Sequence, residues 1–89
     1  MDSAEQEKKL VGKITHWFGK ISVAVVELEG ELRAGDEISI EGPNTGEVRM
    51  RIKSMQIEHA PVERAGAGQS VGLKVDGKIH ERDAVYKIV

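Results

Sequence analysis

LRAGDEISI, residues 32–40, sets the pair Gly35-Asp36 between a polar stretch and a run in which Ile38 and Ile40 alternate with Glu37 and Ser39. Glycine takes a left-handed turn position without steric cost, and an aspartate carboxylate can bond back onto the turn backbone. Alternation of apolar and polar residues marks a half-buried strand. Two further stretches repeat the arrangement: AGQSVGL at residues 67–73 and ERDAVYKI at residues 81–88. There Gly68-Gln69 and Arg82-Asp83 stand where Gly35-Asp36 stands in the first. One strand-opening turn is used three times, with progressively looser chemistry. That reading makes the fold all-β.

The totals agree. A chain of 89 residues suffices for one small domain with a modest core. Ten glycines, few aromatics and many Val and Ile residues suit strands joined by tight turns. Without cysteine, neither disulfides nor cysteine-held metals can brace the core. MDSAEQEKK at the start is too polar for a signal peptide, and no apolar run reaches membrane-spanning length. A soluble, cytoplasmic protein without a membrane partner is expected. The net charge of −2 lacks the strong positive excess of a general nucleic-acid binder.

Residues 1–9 read as a charged, disordered tail, in which Ser3 and Gln6 could form a weak capping box. Strands are expected at LVGKITH (10–16), ISVAVVEL (21–28), DEISIEG (36–42), EVRMRIKSMQIEH (47–59), SVGLKV (70–75) and AVYKIV (84–89). WFGK around Gly19 and GPNTG at 42–46 are turns, and APVERAGAG at 60–68 is the longest connection. In ISVAVVEL both faces are apolar, Val23 and Val25 on one and Ala24, Val26 and Leu28 on the other, as in a strand packed on both sides. The fourth run slips phase: Val48, Met50 and Ile52 share a face, whereas Met55 and Ile57 fall on the opposite parity. A bulge near Lys53-Ser54 would restore the inward face. Six short strands without a helical period predict a small closed six-stranded, Greek-key-type barrel over residues 10–89.

Glu29 through Ile38 resembles the second domain of translational GTPases such as elongation factor Tu, where a G-x-L-x-x-G-D-x-V segment enters a barrel strand. SMQIEHAPVERAGAGQSVGLKVDG, residues 54–77, is similar to the same domain's second hallmark. The unbroken run at residues 11–38 is nearer to the C-terminal barrel of the collagenase-like peptidase family, whose members include RNA-modification enzymes. Two departures stand out: apolar Val25 and Val26 replace a Thr-Gly-Arg of the factors, and Gln69 replaces an aspartate. The resemblance implies an accessory barrel. GTP hydrolysis is not implied, because the phosphate loop G-x-x-x-x-G-K-[ST] is missing from the sequence.

Candidate chemistry is sparse. Gly66, Gly68 and Gly72 have the wrong spacing for a dinucleotide loop and open a strand instead of a helix. His16, His59 and His80 lie far apart without ligand spacing, and the last two fall in loops expected to be solvated. No nucleophile–base pair stands out, so no catalytic residue, metal or cofactor is expected. Arg49, Arg51 and Lys53 share one strand face roughly 6.5–7 Å apart, near phosphate spacing, or form an ordinary solvated face balanced by Glu47. Trp17 and Phe18 point to opposite faces, so one fills the core while the other offers a stacking or protein-contact platform. By position, the resemblance makes Gln56 and Glu58, with His59 beside them, the nearest equivalents of the factor pocket for the aminoacyl end of tRNA.

These observations predict a non-catalytic, translation-factor-like module contacting tRNA or ribosomal RNA through Arg49, Arg51, Lys53 and an aromatic of the turn. The alternative is a protein-interaction subunit docking on a separately encoded enzyme, translation factor or GTPase.

Overall fold

A computed structural model describes residues 7–89. The described residues form ten strands and no helix: β1 (Lys8–Phe18), β2 (Val23–Leu28), β3 (Leu32–Arg33), β4 (Glu37–Gly42), β5 (Gly46–Arg51), β6 (Met55–Ile57), β7 (Ala60–Val62), β8 (Arg64–Ala65), β9 (Ser70–Lys74) and β10 (Ala84–Ile88). Eight of them make one sheet in the order β5-β4-β10-β1-β2-β9-β6-β7, and β3 pairs with β8 in a separate ribbon. Every ladder is antiparallel. The capping box expected at Ser3 and Gln6 lies outside the described residues. β1 begins at Lys8, whose neighbour Lys9 already pairs with Lys87.

The fold is all-β, as the turns predicted, but the expected closed barrel of six strands is not formed. β5 and β7 are the edges of the large sheet, and no ladder joins them. Curvature comes from the chain instead. Residues 52–54 lead from β5, at one edge, to β6, next to the other. Four residue steps reach at most about 14 Å, so the sheet must curl to bring these strands together. The phase slip at Lys53-Ser54 is therefore a break between two strands and not a bulge within one. Register shifts occur in β1 instead, between Leu10 and Gly12 and between Ile14 and His16, where they bend the strand.

The three turns share one geometry. Gly35, Gly68 and Arg82 have φ of 94°, 89° and 76°. In each, the next residue's side chain accepts from the backbone N–H three residues earlier: Arg33 N–H to Asp36 Oδ2 at 2.9 Å, Gly66 N–H to Gln69 Oε1 at 2.7 Å, His80 N–H to Asp83 Oδ2 at 2.9 Å. A buried residue precedes each turn (Leu32, Ala65, Ile79) and another opens the strand beyond it (Ile38, Val71, Val85). Burying a side chain such as Leu32 or Ile79 contributes about 1.5–3 kcal/mol, so the turn works by delivering a core residue on each side of itself.

Ala24, Val26, Leu28, Val71, Leu73 and Val75 complete the inner face with Val11, Ile14, Ile40, Ile52 and Met55. Ser39, expected to face solvent, is buried, and its hydroxyl bonds the carboxylates of Glu41 and Glu47. The connection expected at 60–68 contains β7 and β8, which are too short to show a period.

Candidate functional site

The outer face of β1, β2, β9 and β6 holds a hollow lined by apolar and polar side chains. In the ladders Phe18 lies opposite Val23, His16 opposite Val25, Val25 opposite Gly72, and Gly72 opposite Gln56. Gly72 leaves the centre of this row without a side chain. The resulting groove has a volume of about 470 Å³, with Val23, Val25 and Gly72 in its floor. Phe18 and Ile21 line it, as do Gln56, Glu58, His59 and Ser70. Phe18 and Ile21 are 49% and 57% exposed, although both are large and apolar. Trp17, its neighbour, packs against the core, which settles which of the two aromatics faces outward. His16 stacks on Phe18 with ring centroids 6.1 Å apart.

One side of the groove is built on a strained turn. Ile57 pairs with Ala60, so Glu58 and His59 are the two central residues of a hairpin, with φ of 51° and 68°. Such a turn favours Asn-Gly, because both central residues must be left-handed. Two ordinary side chains held there cost on the order of 1 kcal/mol each, and strain of this kind gathers at functional positions. The Glu58 carboxylate has no ion-pair partner among the described residues.

Sequence reasoning picked out Phe18, Gln56, Glu58 and His59, and the fold brings all four to this groove. It missed Ile21, Val23, Val25, Ser70 and Gly72. The signal was the two-sided apolar pattern of ISVAVVEL: Ala24, Val26 and Leu28 do face the core, but Val23 and Val25 face the groove.

The basic row does not join it. Arg49, Arg51 and the β5 strand lie beyond β4 and β10 from β1 in the sheet. Their charges are engaged at home: Arg49 Nε donates to Glu47 at 2.9 Å, Arg51 Nη1 to the Gly35 carbonyl at 2.8 Å, and Lys53 reaches Asp76 at 3.5 Å. Lys8 adds bonds to Glu41 at 2.6 Å and Glu47 at 2.9 Å. Arg49, then Lys8, then Ser39 hold the Glu47 carboxyl at about 2, well below its ordinary 4.5. Lys8, then Ser39, lowers Glu41 as well. The solvated, self-balanced face is the better description of these residues.

The histidines stay apart, and among the described residues no group of three or more His, Cys, Asp or Glu is arranged to hold a metal. His80, expected to be solvated, is half-buried, with Nδ1 2.8 Å from the Thr45 hydroxyl. That hydroxyl also bonds Asp83, whose side chain is buried against Gly42. Thr45 thus links the two side chains, its hydroxyl donating to Asp83 Oδ2 and lying within hydrogen-bond distance of His80 Nδ1. No helix of the described residues is long and apolar enough to cross a membrane.

Comparison with known proteins supplies the family. The model for elongation factor Tu domain 2 matches residues 19–84. An uncharacterized protease of Methanocaldococcus jannaschii is 40% identical over 85 residues, which is 96% of this chain and 21% of that protein. A collagenase of Porphyromonas gingivalis is 38% identical over 85 residues, covering 94% of this chain and 20% of its own length. The chain thus spans about a fifth of the curated relatives it matches. In fold it superposes with a TM-score of 0.84 on the crystal structure of the C-terminal domain of a Geobacillus thermoleovorans protein described as a U32 peptidase, at 21% identity, covering 89% of this chain and 91% of that one. These relatives are named for proteolysis, not for translation or RNA binding. That overturns the expected translation-factor-like module contacting tRNA or ribosomal RNA. The resemblance to elongation factors was one of fold, and a shared fold carries no function by itself. The chain belongs to the elongation factor Tu domain 2 family, on the branch found in collagenase-like peptidases.

Proposed function

We propose that this chain is an accessory, non-catalytic domain of a collagenase-like peptidase, supplying a polypeptide-contacting face while a peptidase region performs the hydrolysis. The carrying observation is the extent of the match: identity of 40% runs over 96% of this chain but 21% of the protease, leaving about four-fifths of that protein for the chemistry. The inward-turned Thr45–His80–Asp83 cluster and the separated histidines support the assignment. So does the groove, whose apolar floor and polar margin match the anatomy of protein-contact surfaces. Within this reading the curled sheet serves as a barrel-like frame that needs no closing ladder.

Hydrolysis of fluorescein-labelled gelatin tests it. The chain alone should release nothing above the blank, and removing the equivalent segment from the Porphyromonas gingivalis collagenase should lower that enzyme's rate. Hydrolysis by the chain alone, or an unchanged rate in the shortened collagenase, would contradict the assignment.

A further inference from the structure

The groove on the outer face of β2 and β9 has a chemistry specific enough to say what fits it. Its floor offers the side chains of Val23 and Val25 and the bare backbone of Gly72, flanked by Phe18 and Ile21. A volume of about 470 Å³ accommodates one bulky aromatic or branched side chain with part of its backbone. Among the lining residues Glu58 is the one acidic group, and it has no ion-pair partner among the described residues. Lys74 stands opposite Val23, and its Nζ is taken up by the Ile21 carbonyl at 2.9 Å. At the other end Glu27 faces Ser70. Glu27 in turn stands opposite Lys13 on β1, so the acidic character of the groove rests on Glu58.

We infer that the groove binds an extended polypeptide segment in which a bulky apolar residue is adjacent to a lysine or arginine. The apolar side chain fills the space over Gly72 between Phe18 and Val25. The cation lies against Glu58, which the strained hairpin holds at the edge of the apolar floor. The identification rests on the reading of the domain as a polypeptide-contacting accessory, and it adds which sequences are selected.

Nuclear magnetic resonance titration of the ¹⁵N-labelled chain tests this with three synthetic capped hexapeptides: one with a central Phe-Lys, one with Phe-Glu and one with Gly-Lys. The Phe-Lys peptide should shift the amides of Val23, Val25, Gln56, Glu58 and Gly72, and should bind at least fivefold more tightly than either control. Phe18→Ala should weaken it about tenfold, and Glu58→Gln about two- to fivefold while removing the preference over Phe-Glu. Both substitutions are at exposed positions, and unchanged amide spectra elsewhere show that the fold is kept. Equal binding of Phe-Lys and Phe-Glu overturns the inference, as do shifts centred away from the groove or no binding at millimolar peptide. Groove shifts that grow with protein concentration without peptide also overturn it, in favour of a second copy as occupant. The gelatin assay is read separately: a failed titration with an inactive chain and an impaired shortened collagenase removes the groove's assignment and leaves the accessory role standing.

Discussion

Two outer faces of the same curled sheet use their side chains in opposite ways. On β4 and β5, charge is abundant and mutually satisfied: Lys8, Glu41, Glu47, Ser39 and Arg49 bond one another, and Arg51 turns to the Gly35 carbonyl. Beside β2 and β9, Phe18 and Ile21 are left exposed, and the Glu58 carboxylate on a strained turn has no ion-pair partner among the described residues. The first face is consumed in holding β1 to the β4–β5 hairpin. The second contributes little to the core and keeps apolar surface exposed. A charge already matched at home gains little by binding elsewhere, so the two faces differ in what they could offer a partner.

The contrast can be broken by substitution, and the largest effect should come from the buried polar contacts. Asp83→Ala removes the acceptor for the His80 N–H and the Thr45 hydroxyl, with Asp83 only 3% exposed. It should cost about 2–4 kcal/mol, read as a lower urea midpoint with unchanged slope. A loss below about 0.5 kcal/mol would show that this cluster is as dispensable as an exposed side chain.

Next in size is the strain beside the groove. Replacing Glu58→Asn and His59→Gly together gives the hairpin the residues its geometry favours, and should raise stability by about 1–2 kcal/mol. For a domain of this size that is a melting-temperature rise of about 4–8 °C per kcal/mol. An unchanged or lower melting temperature would mean that the two left-handed residues are not held at a cost.

The smallest effect concerns pH. The Glu47 carboxyl lies at about 2 in the folded chain against an ordinary 4.5, so the unfolded state binds its proton first. The stabilisation is present above about pH 4.5 and is lost as pH falls toward 2. Glu47→Gln should flatten that part of the stability curve and leave neutral-pH behaviour of the groove unchanged. Because Glu47, Lys8 and Arg49 are partly exposed, salt should reduce the difference. An acid limb identical in both proteins would show that the network does not hold this proton equilibrium.

Much of the fold was legible because its signals are local. Gly35-Asp36, Gly68-Gln69 and Arg82-Asp83 were recognisable as one turn from neighbouring residues alone, and the parity change between Ile52 and Met55 marked a real break. Closure was not legible, since whether β5 meets β7 depends on pairings distant in sequence. β7 and β8 escaped notice because strands of three and two residues carry no alternation. For the site, Phe18, Gln56, Glu58 and His59 were within reach, but Val23 and Val25 were assigned to packing. A two-sided apolar strand looks the same in sequence whether its second face meets a core or a partner.

The central claim is that the β2–β9 face is the working surface and the β4–β5 face is structural. Amide chemical-shift mapping of the ¹⁵N-labelled chain with the peptidase region of the Porphyromonas gingivalis collagenase tests it most directly. The account predicts perturbations at residues 18–25, 56–59 and 70–72, with residues 47–53 unmoved. Perturbations concentrated at Glu47, Arg49, Arg51 and Lys53, with the groove silent, would contradict it.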